Sequence, residues 1–337
     1  MQVPIETVQE TLTAAAHKFV TEPEARYFAR LCLASHLKKA PRMKPLAEAV
    51  ADLKVWQAHD RRQVQIVADK PGALVLNFNG LAPSLKIRQV HDELERRARD
   101  NGIAAVGFYN SAGVVTLNMW ADGLAQRNLI GVSMFNGGTE CCVPHGGRRG
   151  VMGTNPLAYA IPTADEPLAL DMATTEIPFF DVRNAKADGM PLPTGAAVDG
   201  SGRPTTLAAD ALSDDGVANL LPIGGGFKGY GLVCLIEVLT GSLVRSLLSH
   251  EQTSGWHPPE YGCLTLAIDV ASFTESDRFK QAVSDLAAHL RAQPPAEGSP
   301  AVSVPGDRGH AKVADAMAAG VVDMADGTWE DLRQMAV

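Results

Sequence analysis

The sequence predicts an α/β protein that opens with a helical region, and three observations carry that expectation. Apolar residues at helical spacing, Val8, Leu12, Ala15 and Ala16, then Ala25, Phe28, Leu31 and Cys32, mark amphipathic helices between about Ile5 and Trp56. Beyond them an amphipathic helix gives way to an apolar strand, and the alternation recurs along the chain. At 337 residues the chain is long enough to bury a large core in two lobes, and no internal repeat or low-complexity tract breaks the pattern.

Taken in order, Pro41 and Pro45 interrupt the helical region, so residues 37–45 form a loop or helix junction. Ala73 to Gly80 reads as a strand ended by turn residues. A polar helix follows from about Ser84 to Asn101, with Gly102 at the position after the last turn. Ile103–Phe108 and Leu129–Phe135 are apolar strands, the second ended by Gly137-Gly138. Pro144–Gly150 is a basic, turn-rich loop. Gly153-Thr154-Asn155-Pro156 leads into a strand at Leu157–Ile161, and Leu168–Thr175 is another strand that ends in an acid and two hydroxyls. Residues 183–216 read as irregular. Leu264–Val270 is a strand, Asp277–Ala292 a helix and 294–300 a flexible connector; a turn at 305–309 precedes a last helix. The expected division is a helical region at 1–70, an α/β unit at 71–310, and a C-terminal helix at 311–337 packing back on the first region.

Composition narrows the function. The chain is 46% hydrophobic and 20% charged, as in ordinary globular proteins, and carries a net charge of −8. Nucleic acid is therefore not an expected partner, since phosphate backbones need a basic face. No apolar run is expected to reach a membrane span, because Glu237 breaks the longest candidate. Met1–Glu6 has neither a basic start nor an apolar signal core, so the chain is expected to be cytoplasmic. The odd count of 5 cysteines, without a CxxC pair, fits reduced, buried thiols. The histidines form no HxxxH or HExxH pattern, so no metal site is expected.

One stretch suggests chemistry: Leu221-Pro222-Ile223-Gly224-Gly225-Gly226-Phe227-Lys228-Gly229-Tyr230-Gly231-Leu232. Three glycines allow a tight turn with bare N–H groups, a lysine follows, and Leu232, Leu235, Ile236, Leu239 and Leu243 then predict a helix with one face buried. A glycine turn, a cation and a helix N-terminus suit an anion such as a phosphate or carboxylate. The plainer alternative is a loop entering a core helix. The spacing matches neither a Walker A loop nor GxGxxG.

With these pieces in order, the chain resembles the malate/L-lactate dehydrogenase-like family of NAD(P)-dependent oxidoreductases. That family includes ureidoglycolate dehydrogenase, diketogulonate reductase and the piperideine/pyrroline-2-carboxylate reductases. The resemblance rests on Pro144-His145-Gly146-Gly147, Met152–Pro156, Leu170-Asp171-Met172-Ala173-Thr174-Thr175, Leu221–Leu232 and Pro305-Gly306-Asp307, with Leu129–Val132 in support. It implies a mixed-sheet, non-Rossmann NAD(P)-binding fold and a homodimer with the site near the subunit interface. NAD(H) or NADP(H) would be held by loops matching Asp171, Met172, Ala173, Thr174 and Thr175, by Phe227 and Lys228, and by Gly306, Asp307 and Arg308. Lys228 and Arg308 would offset phosphate charge. Capping hydroxyls at a strand end are the alternative for Thr174 and Thr175, and a helix or turn cap for Asp171. Arg148, Arg183 and Tyr109 are candidates for binding a small carboxylate substrate.

The departures are on the substrate side. The family's Asp-Leu-Arg-Gly segment aligns with His36-Leu37-Lys38-Lys39, which sets Met43 where the family's proton-donating histidine stands. A second family histidine is missing after Asn110-Ser111. The proton donor is then sought among Lys44, His145 and His36, or in Tyr109 or water. Expected is an NAD(P)H-dependent reductase or dehydrogenase of a 2-oxo acid, 2-hydroxy acid or cyclic 2-imino acid. A relative that binds the cofactor but runs a lyase or isomerase reaction, or none, is the alternative.

Overall fold

The computed structural model describes residues 1–39, 44–59, 61–137, 140–252 and 260–337. Strand β1 (Gln2–Pro4) leads into α1 (Ile5–His17), α2 (Glu22–Lys38) and α3 (Pro45–Ala58). The predicted stripes are the buried faces: Val8, Leu12, Ala15, Ala16, Ala25, Phe28 and Cys32 are fully covered. A capping box starts α2, with Thr21 N–H donating to the Glu24 carboxylate at 2.9 Å, and Pro45 opens α3.

The centre is a seven-stranded mixed sheet. In chain order its strands are β2 (Gln65–Lys70), β3 (Ala73–Asn77), β4 (Ile103–Ser111), β5 (Leu129–Phe135), β6 (Leu157–Ile161) and β7 (Leu168–Met172). A small ladder of β8 (Ala197–Val198) and β9 (Pro204–Thr205) intervenes, and β10 (Tyr261–Asp269) completes the sheet. The spatial order is β2-β3-β4-β10-β5-β6-β7, with β3 and β4 parallel and every other pair antiparallel. The late strand β10 thus wedges between β4 and β5. It is buried along most of its length, which suits its continuous apolar run.

Helices α4 (Ile87–Asn101) and α5 (Asn118–Ala125) cover the sheet together with the N-terminal helices in one large core. A short 3-10 turn at Pro83–Lys86 precedes α4, so the helix starts later than Ser84, and Gly102 ends it at φ 81° as expected. A second apolar cluster lies within residues 141–220 and includes α6 (Phe179–Asp188) and α7 (Ala208–Ala211). The stretch 183–216 is therefore less irregular than its composition suggests. Its helix runs to Asp188, where Gly189 turns left-handed at φ 66°.

Helix α8 (Phe227–Thr240) packs on the sheet around Met134, Ile236, Val244 and Leu264. Two expectations about it are corrected. Its buried positions are Gly229, Val233, Ile236, Glu237 and Thr240, while Leu235 and Leu243 are 54% and 58% exposed. The helix is apolar on all sides, so leucine spacing alone did not select the core face. Residues 227–244 also reach the length and mean hydropathy, 1.5, of a membrane span. Glu237 does not interrupt the run, since one carboxylate leaves the mean hydropathy of the 18-residue window at 1.5.

After β10, α9 (Ser276–Arg291) and α10 (Asp307–Ala319) precede β11 (Val321–Asp323) and α11 (Asp326–Ala336). Strand β11 pairs with β1, and α11 packs against α1 and α3, so both chain ends share one helical layer. Strand β2 lies in the main sheet, so the sheet begins before residue 70.

Candidate functional site

The glycine turn is built as its sequence requires. Gly224 and Gly225 both take left-handed φ, 71° and 63°, which side-chain-bearing residues rarely adopt in succession. Gly226 is the N-cap of α8 and supplies no side chain to cap it. The first N–H groups of α8 therefore keep their partial positive charge, and Lys228 is exposed beside them. The turn lies directly on the helix: a Cβ on Gly229 would come within 1.9 Å of the Ile223 carbonyl oxygen.

The segment after β7 is stitched to this turn. Ile223 N–H donates to Thr174 O at 2.8 Å, Glu176 N–H to Leu221 O at 2.8 Å, and Gly224 N–H to the Glu176 carboxylate at 2.8 Å. Two stretches singled out in the sequence thus form one surface. The threonine hydroxyls are committed to the fold. Thr174 Oγ1 donates to the carbonyls of Thr154 (3.1 Å) and Asn155 (3.0 Å), and Thr175 Oγ1 to Ile177 O (2.8 Å). Both residues are buried, as capping hydroxyls would be, and half-buried Met172 and Ala173 precede them.

Behind this surface lies a buried polar cluster that sequence reasoning missed. The Glu237 carboxylate accepts from Asn155 Nδ2 (2.7 Å), Ser249 N–H (2.5 Å) and Ser249 Oγ (2.9 Å). Asn155 in turn accepts from Gly137 N–H at 3.2 Å, so the Gly153–Pro156 loop is locked to α8.

At the other end of the segment, Asp171 meets a lysine. Lys39 Nζ donates to Asp171 Oδ2 at 2.5 Å, and the same oxygen accepts the Asn118 N–H at 3.1 Å. Asn118 is the first residue of α5, so Asp171 also caps a helix from a neighbouring element. The adjacent Lys38 is paired with Asp122 at 2.8 Å, while Ser35 donates to Asn118 Oδ1 at 2.8 Å. These bonds fix the end of α2 against α5. The only sequence hint was the lysine pair aligned with the family's Arg-Gly.

Gly306, at φ 107°, brings the next predicted loop alongside, since Ala169 N–H donates to Pro305 O at 3.1 Å and Lys312 Nζ to Lys39 O at 3.4 Å. Asp307 is engaged by Arg291 at 2.6 Å and by Val304 N–H at 2.9 Å. The guanidinium hydrogen bond, ahead of the other contacts, holds its carboxyl below the ordinary range. Arg308 is exposed next to it.

The remaining candidates are scattered. His36 Nε2 lies 3.3 Å from Asp323 O, on the β11 side, and burial lowers its ring pKa. Lys44 is exposed at the start of α3, where its carbonyl accepts from Ala47 and Glu48. His145 is exposed and stacks edge-on against Phe227, ring centres 5.9 Å apart, which brings the 144–147 loop to the start of α8. Arg148 is exposed beside the Gly202 turn, and Arg183 lies over the Phe180 ring at 4.8 Å. Tyr109 is half-buried in β4 opposite Asn77. Met43 and Gly138 lie outside the described residues. Among the described residues no group of three His, Cys, Asp or Glu side chains is placed to hold a metal ion.

A family model described as malate/L-lactate dehydrogenase matches residues 3–333. The chain is 36% identical over 204 residues to a Delta(1)-pyrroline-2-carboxylate/Delta(1)-piperideine-2-carboxylate reductase of Pseudomonas putida, covering 59% of this chain and 58% of that protein. It is 34% identical over 285 residues to the Pseudomonas syringae pv. tomato protein of the same name, covering 82% and 79%. The solved structure of sulfolactate dehydrogenase from Methanocaldococcus jannaschii superimposes with a TM-score of 0.84 at 24% identity, covering 99% of this chain and 96% of that one.

Proposed function

The chain belongs to the malate/L-lactate dehydrogenase family, and from that premise we propose that it is an NAD(P)H-dependent reductase or dehydrogenase. Its substrate would be a small 2-oxo acid, 2-hydroxy acid or cyclic 2-imino acid. The observation that carries this reading is the uncapped N-terminus of α8, hydrogen-bonded through the glycine turn to the 174–176 segment.

The residues present fit a dinucleotide. The free N–H groups of α8, with Lys228, supply positive charge for a pyrophosphate. Backbone at Asp171, Met172, Ala173, Thr174 and Thr175 forms the adjoining wall, with Phe227 at the rim. Gly306, Asp307 and Arg308 would hold the far end of the cofactor, and Arg308 adds a second cation. Since Glu176 occupies the Gly224 N–H, a phosphate at that point would displace it. When bound, the nicotinamide supplies the hydride acceptor or donor. Arg148, Arg183 and Tyr109 are the proposed carboxylate-binding set, and Lys44, His145 and His36 the donors the sequence offers.

A homodimer is proposed as the working form, in a cytoplasmic setting. Phe227, Leu235 and Val238 on α8 and Leu243 in the turn after it are 69%, 54%, 55% and 58% exposed, an apolar face beside the site that a second copy would cover. None of the five cysteines is in a disulfide, which fits a reducing compartment.

The test is oxidation of NADH or NADPH followed at 340 nm with a panel of 2-oxo and cyclic imino acids, together with calorimetric titration of each cofactor. Binding of one cofactor with turnover of at least one panel member is expected. Failure of both cofactors to bind would overturn the reading. For the dimer, Leu235→Glu should shift the sedimenting species to half mass; an unchanged mass would place the interface elsewhere.

A further inference from the structure

We propose that Lys39 delivers the proton to the C2 oxygen of a 2-oxo acid when the carbonyl is reduced. The inference rests on the oxidoreductase reading above and names the donor that reading lacks. Lys39 comes from the end of α2, and its ammonium sits on the carboxylate of Asp171, where the Asp-Met-Ala-Thr-Thr segment leaves the sheet. The pair is screened from water, with side chains 18% and 13% exposed. A lysine ammonium carries three N–H donors. The one hydrogen bond its Nζ makes among the described residues is to Asp171, and among those residues its other two N–H bonds have no partner, which a substrate oxygen would supply.

The neighbours enforce this position. Lys38 is tied to Asp122, and Asp122 also accepts from Asn118 Nδ2 at 3.0 Å, so the last turn of α2 cannot swing away without breaking a buried network. Lys312 Nζ lies 3.4 Å from the Lys39 carbonyl, which anchors the backbone from the α10 side. Lys39 thus engages the start of the 171–176 segment, and the glycine turn that precedes Lys228 is hydrogen-bonded to its end. Of the donors the sequence offered, His36 faces β11, Lys44 is exposed on α3, and His145 packs on Phe227.

The step balances without another reactant. A bound reduced nicotinamide would supply the hydride for the C2–H bond, with the carbonyl π pair moving onto oxygen. That oxygen takes a proton from Lys39 Nζ, which is left as a neutral amine and is reprotonated from solvent. The products are the 2-hydroxy acid and oxidised cofactor. A general acid contributes about 10²–10⁴-fold to such a step.

Lys39→Arg is the discriminating variant. Arginine keeps the charge and the ion pair with Asp171, but it does not give up its proton in proteins. Activity with 2-oxo acids should fall at least ~10²-fold in Lys39→Arg and in Lys39→Ala alike, and ethylammonium should restore Lys39→Ala in proportion to its concentration. A readout independent of turnover is the Lys39 Nζ resonance in ¹⁵N-lysine-labelled protein loaded with cofactor and assigned through Lys39→Arg. It should move when oxalate, a 2-oxo acid analogue, is added. Retained activity in Lys39→Arg, loss without amine rescue, or a stationary resonance would each overturn the proposal and leave the oxidoreductase reading standing. Wild-type turnover of imino acids alone would do the same. No cofactor binding by wild type would overturn both.

Discussion

Gly229→Ala sets two effects of known size against each other. Replacing a helical glycine by alanine gains about 1 kcal/mol of helix propensity when the site is open. Here the new Cβ would lie 1.9 Å from the Ile223 carbonyl oxygen, 2.9 Å from its carbon and 3.1 Å from its nitrogen. Reaching ordinary contact at 3.4 Å requires the glycine turn and α8 to separate by roughly 1.5 Å, and overpacking of this kind costs about 1–3 kcal/mol. The oxygen belongs to backbone, so no rotamer change relieves the contact. A contact this far inside van der Waals range puts the cost at the upper end, about 2–3 kcal/mol, so a net loss of about 1–2 kcal/mol is expected after the propensity gain of about 1 kcal/mol is subtracted. Two positions on, Gly231 has nothing within 4 Å of the same added atom. Gly231→Ala should accordingly stabilise by about 0.5–1 kcal/mol. Urea unfolding of both variants followed by circular dichroism reads the difference, and calorimetry with NADH and NADPH reads the turn. Gly229→Ala should weaken cofactor binding, because the turn's N–H groups are carried by the backbone that must move. If Gly229→Ala matches Gly231→Ala in stability and wild type in affinity, the packing argument is wrong.

Three further substitutions probe buried polar groups. Glu237→Gln turns one carboxylate oxygen into a donor facing Ser249 or Asn155, and hydrogen bonds to a charged acceptor are worth ~1.5–3 kcal/mol each. A loss of about 2–3 kcal/mol in urea unfolding is expected, and a change within experimental error would refute the network's role. His91 is fully buried, and desolvation first, then the nearby Arg127 charge, lowers its ring pKa to about 3. The unfolded imidazole titrates near 6.5. Between these values the unfolded chain holds one more proton, so the histidine costs stability as pH falls, by ~1.4 kcal/mol per pH unit. His91→Gln should flatten the acid limb between pH 6.5 and 4, and an unaltered slope would count against the assignment. Burial raises the Asp52 carboxyl well above its ordinary value, although Ser84 Oγ hydrogen-bonds to it. The unfolded carboxyl ionises near 3.9; above that pH, ionisation favours the unfolded chain until the folded group also titrates. Asp52→Asn, which keeps an acceptor for Ser84, should raise the urea midpoint at pH 7 and leave it unchanged at pH 3; the opposite order would refute this account.

What the sequence determined by itself was local. Three glycines in a row impose a turn, Gly102 ends a helix, and the stripe of Val8, Leu12, Ala15 and Ala16 has one face to bury, because each depends on backbone preferences or periodicity within a few residues. The same local motifs were enough to indicate the family. Where local signals tied, tertiary structure decided. Helix α8 is apolar all round, so its core face was fixed by what packs on it, the sheet around Met134 and Leu264. The Thr174 hydroxyl was turned inward by the loop at Thr154 and Asn155, 19–20 residues away. Lys39 and Asp171 stand 132 residues apart, and their ion pair exists because α2, α5 and β7 are held together by Ser35, Asn118 and Asp122. A charge pair across that separation has no periodicity or spacing to announce it; only the folded arrangement of three elements brings the two groups into contact.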